Sequence, residues 1–227
     1  MTARYRFVCV LKAGKDYGPL YVARLFRAIE RWHPGAEFVC LSDIEIPRVS
    51  LYPLVRSLPG WWSKMEMYGH PALMDGALNI YLDLDTVILG DLTPLTRYTG
   101  DLAVLADLYR PERMIGTGVV LWRGTAMLPA WEAFILDPDE IMRQHAVRMD
   151  YFLAPFFGEC DRVQALWPGA VVSYKRHCRR QGGPPEGARI MNFHGKPRPR
   201  DLPADDWAAV AWRGRLETEA DNLEMAA

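Results

Sequence analysis

Residues 7–11 form an uninterrupted apolar run, and residues 37–41 form a second that is apolar after Glu37. Between them, residues 20–32 repeat at helical spacing. Leu20, Val22, Ala23, Phe26, Ala28 and Ile29 are apolar, Arg24, Arg27, Glu30 and Arg31 are charged, and Pro34-Gly35 ends the pattern. This order predicts a strand, a helix and a strand. Two strands joined through a helix run parallel, and the crossover is right-handed in nearly all known cases. A β-α-β unit at the start thus commits the chain to an α/β fold. Open α/β sheets bind their ligands at the carboxyl ends of the strands.

The rest of the chain supplies more such elements. Residues 44–60 read as a proline-bearing connection with a short strand at 50–55, and 60–68 as a short helix. Apolar runs at 77–82 and 102–106, and more mixed stretches at 116–122, 171–175 and 188–193, predict further strands. Residues 126–136 and 138–148 predict helices, the second opened by Asp137-Pro138-Asp139-Glu140. From Ala204 a helix carrying Trp207, Val210 and Trp212 is expected, and the acidic stretch from Leu216 is expected to fray. Neither an internal repeat nor a linker divides the sequence. It reads as a single domain over 1–227, with a core at about 5–200 and a C-terminal helix and tail at 203–227.

Chemistry gathers where these strands end. Asp83 and Asp85 follow the run 77–82. In an extended chain, side chains two apart point the same way, so both carboxylates would aim at one place. Such a pair suits a hard divalent cation with oxygen ligands; a capped or solvated turn is the plainer reading. Leu11, Lys12 and Tyr17 follow the first strand, Ser42 and Asp43 the second, and Leu84 lies between the two acids. Each is open to two readings, loop packing and capping or contact with a nucleotide. Lys64 either lays its stem along the surface or reaches a phosphate. Asp150, a lone acid in the apolar stretch 149–157, is a cap or a residue facing a site. Gly116 and Gly118 permit close backbone approach or a simple bend. A basic cluster at 175–180 precedes His194-Gly195-Lys196-Pro197, where an imidazole could meet a metal and an ammonium a phosphate.

Composition narrows the function classes. The net charge of −1 argues against a dedicated nucleic-acid or anionic-membrane binder. Cys9, Cys40, Cys160 and Cys178 form no C-x-x-C pair, so no zinc module is suggested, and a reducing compartment is expected. No signal-peptide pattern is present, and no stretch approaches the ~18 apolar residues of a membrane span. A cytoplasmic protein is expected, with docking on a membrane surface left open. Eight tryptophans and seventeen prolines suit a loop-rich protein with flat apolar surfaces.

Together, Tyr81-Leu82-Asp83-Leu84-Asp85, Phe193-His194-Gly195-Lys196-Pro197 and the N-terminal β-α-β unit resemble the GT-A fold glycosyltransferases. The chain is most similar to glycosyltransferase family 8 and its small bacterial relatives. Trp61-Trp62-Ser63-Lys64, Val119-Val120-Leu121-Trp122 and Val172-Ser173-Tyr174-Lys175 also resemble segments of that group. The resemblance spans about residues 5–200. It implies a Rossmann-like nucleotide-diphospho-sugar transferase domain, with a mixed, mainly parallel central sheet flanked by helices. It also implies a UDP-sugar donor, Mn²⁺ or Mg²⁺, and transfer with retention. Asp83, Asp85 and His194 are the implied metal ligands. Lys64, Lys175, Gly195 and Lys196 are implied donor contacts, joined by Leu11, Lys12, Tyr17, Ser42, Asp43, Asp83 and Leu84. Asp85, Asp150 and Lys196 are the implied catalytic residues, and Arg198 is an alternative to Lys196 on the phosphates. The acceptor stays open between glycan, lipid-linked and protein substrates.

The sequence also departs from that group. Relatives carry an asparagine-serine pair where this chain has Gly116-Thr117. They carry Gly-Asp-Gln-Asp where it has Val147-Arg148-Met149-Asp150, so only the last acid matches. A binding homologue without transfer activity is therefore an alternative expectation. A haloacid-dehalogenase-like phosphatase is a weaker one, because Val87 occupies the place where that family needs a threonine.

Overall fold

The computed structural model describes residues 4–214. Its strands are β1 (Tyr5–Leu11), β2 (Glu37–Ser42), β3 (Ser50–Pro53), β4 (Leu78–Leu82), β5 (Thr86–Ile88), β6 (Leu102–Ala106), β7 (Ile115–Arg123), β8 (Asp161–Arg162), β9 (Val171–Ser173) and β10 (Ile190–Asn192). Its helices are α1 (Pro19–Trp32), α2 (Met65–Gly69), α3 (Thr93–Thr96), α4 (Leu128–Leu136), α5 (Pro138–Gln144), α6 (Asp150–Phe157), α7 (Val163–Leu166) and α8 (Trp207–Arg213).

Seven strands form the main sheet in the order β3-β2-β1-β4-β7-β6-β8. β1 pairs parallel with both β2 and β4, as the opening β-α-β unit requires. β7 alone runs against its neighbours β4 and β6, so the sheet is mixed and mainly parallel. A smaller sheet, β5-β10-β9, stands beside it. β1 shows why both faces of the main sheet must be covered. Phe7, Cys9 and Leu11 enter one apolar core with α1, α8 and the smaller sheet. Val8 and Val10 enter a second core with side chains of α2, α4 and α6. A strand buried on both faces reads as a continuous apolar run because neither set of alternating side chains meets water.

The smaller sheet carries most of the differences from expectation. Thr86–Ile88 pairs antiparallel with β10, a strand that three residues in a turn region do not announce. The expected strand 171–175 stops at Ser173, and Tyr174–Cys178 winds into a wide helical turn, with the Ser173 hydroxyl accepting from the Arg176 amide. The helix expected over 138–148 ends at Gln144. In α8, Ala208, Ala209 and Trp212 are buried while Val210 faces out. The acidic stretch from Leu216 lies outside the described residues. All four cysteines are free thiols. No helix among the described residues is long and apolar enough to cross a membrane.

The second core rests on an aromatic group. Phe134 of α4 is fully buried, stacks on Trp62 with centroids 5.6 Å apart, and meets Phe152 of α6 at 6.0 Å. Phe134→Ala empties that site, so a loss of about 3–5 kcal/mol in unfolding free energy is expected by urea titration. A loss below about 1 kcal/mol would mean α4 does not anchor this core.

Candidate functional site

β4 delivers Asp83 and Asp85 to the carboxyl edge of the main sheet. The Asp83 amide donates to the Gly118 carbonyl of β7 at 3.1 Å, and the Thr86 amide donates to the Asp83 carbonyl at 3.0 Å. The chain thereby turns tightly from the main sheet into the smaller one. Gly118 allows the approach: a Cβ there would lie 2.8 Å from Asn192 Nδ2 and 3.4 Å from Asp83 Oδ2. The side chain of β10's last residue is thus packed against the first acid.

The two acids have different surroundings. Asp83 Oδ1 accepts from Tyr81 Oη at 2.6 Å and is ion-paired with the Lys64 ammonium. Asp85 is 4% exposed, and among the described residues its one close partner is Tyr17 Oη, which donates to Oδ2 at 2.8 Å. Burial and then the charge of Asp83 push the Asp85 carboxyl up to about 7, against the weaker pull of Tyr17, Lys64 and Arg198. Burial disfavours charge on Lys64, but Asp83, Asp150 and Asp85 outweigh it and hold the ammonium above its ordinary value. The surroundings therefore oppose ionisation of Asp85.

Asp150 comes to the same place from α6. Its Oδ1 accepts from Thr117 Oγ1 at 2.7 Å, and its Oδ2 accepts from Arg148 Nη2 at 2.7 Å. Arg148 also reaches Asp107 Oδ2 at 2.9 Å, so one guanidinium bridges two carboxylates from different elements. The expected departures at Thr117 and Arg148 are thus the two residues that hold Asp150.

His194 follows β10. Its Nε2 lies 2.6 Å from Ser173 Oγ at the end of β9, and Tyr109 meets the ring edge-on at 5.0 Å. Burial and the charge of Lys175 hold the imidazole below its ordinary value, leaving it neutral near pH 7. Lys175 donates to the His194 carbonyl at 2.6 Å, and its Nζ lies 3.7 Å from where a Cβ on Gly195 would be. Gly195 has φ of 66°, a conformation that favours glycine. Lys196 is exposed. Arg198 lies over the Tyr17 ring at 4.3 Å, and its Nε is buried without a hydrogen-bond partner among the described residues.

The remaining candidates fall at the ends of β1 and β2. Lys12 and Asp43 pair with each other at 2.7 Å, and Asp43 also accepts from the Ala13 amide at 2.8 Å. Ser42 is buried, its hydroxyl accepting from the Ile44 amide. Leu11 and Leu84 bury their side chains in the apolar core, which leaves only their main chain for a ligand.

Asp83 and Asp85 offer the oxygen donors that a hard divalent ion takes. Among the described residues, no three His, Cys, Asp or Glu side chains already stand close enough to hold a metal ion, and His194 faces Ser173. The two carboxylates are oxygen donors of the right kind for such an ion, with Lys64 and Tyr17 as their present partners. Tyr81, Asp107, Thr117, Ser173 and Asn192 join the site without having been singled out as site residues. Nothing in their spacing marks them, because strand pairing brings them in.

No family model matches the sequence, and no curated protein matches it. Solved structures do match its fold. GlyE, a glycosyltransferase of Streptococcus pneumoniae TIGR4, superposes with a TM-score of 0.69 at 14% identity over 97% of this chain and 63% of GlyE. The galactosyltransferase LgtC, solved with donor and acceptor sugar analogues, gives 0.65 at 15% identity over 96% of this chain and 99% of LgtC. The bifunctional glycosyltransferase WbbM gives 0.61 at 12% identity over 99% and 52%. The chain spans less than two thirds of GlyE but nearly all of LgtC. Its fold is that of the GT-A glycosyltransferases.

The raised Asp85 has a pH signature. Between its unfolded value near 4 and its folded value near 7, the native state binds more protons than the unfolded one. This group's contribution to stability is then fully present below about pH 4 and is lost as pH rises through about 7. Asp85→Asn should raise the melting temperature at about pH 8 and change it little at about pH 4. A variant whose advantage does not grow with pH would show that Asp85 ionises without cost.

Proposed function

We propose that this protein is a glycosyltransferase that moves a sugar from a nucleotide-sugar donor, a UDP-sugar, to an acceptor hydroxyl. Mn²⁺ or Mg²⁺ is held by Asp83 and Asp85. The observation that carries this reading is the carboxylate pair after β4, whose buried member has its ionisation opposed by burial and by Asp83. The fold shared with GlyE and LgtC supports it and weighs against the phosphatase reading.

When bound, the divalent ion supplies the positive charge that stabilises a departing nucleoside diphosphate. The protein's own groups would share that work. Lys64 and Lys175 present ammonium groups beside the acids, and Lys196 and Arg198 extend the positive edge toward the diphosphate. The Tyr17 ring, packed beneath Arg198, offers a flat face to a base. Asp150, fixed from two sides, can orient a sugar hydroxyl without rotating away. His194 is the third ligand of this proposal, and it would have to give up its Ser173 contact to serve. Transfer with retention follows from the family resemblance. One observation favours a second reading, binding without transfer: Asp150 is already engaged by Arg148 and Thr117.

Calorimetry with UDP tests the first step. UDP should bind at least about tenfold more tightly with Mn²⁺ than with chelator, and Asp85→Ala should abolish the metal's effect. Affinity indifferent to metal would sink the proposal. Release of free sugar from any member of a UDP-sugar panel would then remove the binding-only reading.

A further inference from the structure

A cavity of about 410 Å³ opens between the first turn of α1, the segment Pro199–Asp201 and α8. Its wall is apolar at Pro19, Leu202 and the Trp212 indole, and cationic at Arg24, Arg200 and Arg213. Among the described residues, no Asp or Glu side chain lines it. Arg24 lies over the Trp212 ring at 3.9 Å. Burial and then the neighbouring charge of Arg213 push its guanidinium down to about 10. Arg200 has Asp201 at 3.6 Å, whereas Arg24 and Arg213 have no carboxylate partner among the described residues. Two buried donors on the same wall also lack acceptors there: the Tyr21 hydroxyl and the Trp212 indole N–H, on residues 3% and 7% exposed.

Buried donors without acceptors and clustered guanidinium groups without counter-charge are each costly. Anionic oxygens in the cavity would supply counter-charge to the guanidinium groups, and the indole and proline wall rewards an apolar body attached to them. The volume falls in the range of small-ligand pockets. We propose that this cavity binds a small organic anion, a phosphate or carboxylate on a flat apolar body, with the anionic group between Arg24 and Arg213. It is separate from the carboxylate site. The Tyr21 ring closes the cavity on one side and packs edge-on against Tyr17, 4.9 Å away, whose hydroxyl serves Asp85. An occupant thus sits one aromatic layer behind the donor-facing surface.

The test uses the full chain and the indole N–H resonance of Trp212, assigned with Trp212→Phe. Phenyl phosphate should shift that resonance in a saturable way, inorganic phosphate should do so more weakly, and phenol should not. Arg24→Gln and Arg213→Gln should each weaken phenyl phosphate by roughly tenfold, as loss of a charge-assisted hydrogen bond would. Arg24→Lys, which keeps the charge, should retain much of the binding and guards against a folding defect. Saturating UDP should leave the response in place. The proposal is overturned by an equal response to phenol, by displacement with UDP, or by no saturable shift at all. It is also overturned if the response emerges only after residues 215–227 are removed, which would make the chain's own acidic end the occupant.

Discussion

Two carboxylates share the end of β4, and the protein does not neutralise both. Lys64 takes Asp83, while Asp85 is left buried with one phenol. Burial and the charge of Asp83 oppose ionisation of Asp85, and carboxyls perturbed in this way cluster at functional sites. Most of the surrounding architecture makes this arrangement possible. The paired strands β1, β4 and β7 fix the backbone that carries it, and Gly118 keeps room for Asn192 against the first acid. The turn into β5 aims the second acid inward. The arrangement is sustained because apolar cores on both faces of the sheet hold β4 rigid.

The smaller sheet adds what the main sheet lacks. β9 and β10 run parallel and end together at the Ser173–Asn192 pair, and His194, just past it, turns back to meet Ser173. Because β10 also pairs with β5, the segment after Asp85 and the segment before His194 belong to one structural unit. The imidazole and the acids are therefore carried by one small sheet and its edges. A modest change at Ser173 would alter the imidazole without disturbing the main sheet.

Much of this was legible in the sequence, for physical reasons. Strands buried on both faces must be apolar throughout, so β1, β2, β4 and β6 stood out as runs. Alternating charge made α1 plain, and Asp83, Asp85 and His194 stood at the ends of such runs. The rest depends on pairing that no local pattern encodes. Thr86–Ile88 is too short to show periodicity, and its strand character comes from β10. Lys12 and Asp43 looked like ligand contacts because of where they sit, but adjacent strand ends let them satisfy each other. Leu11 and Leu84 share the same addresses with their side chains turned inward. Position along a strand tells which residues reach the edge; only the register tells which of them still have an unsatisfied group when they arrive.

Arg148 shows how far that logic goes. As a sequence feature it is a departure, a cation where relatives carry an acid. In the structure it stands between Asp107 and Asp150, and removing it would leave two acids facing one another across the space between β6 and α6. The charge is compensated locally: the guanidinium lies between two carboxylates and fixes the direction of Asp150. Asp107 caps its own loop through the Tyr109 and Arg110 amides, so the bridge ties that loop, and with it the Tyr109 ring on His194, to α6. The acid on one side of the site and the imidazole on the other are thereby linked through a residue that touches neither Asp83 nor Asp85. What looks like lost chemistry in the sequence is, in three dimensions, a strut joining the two walls of the site.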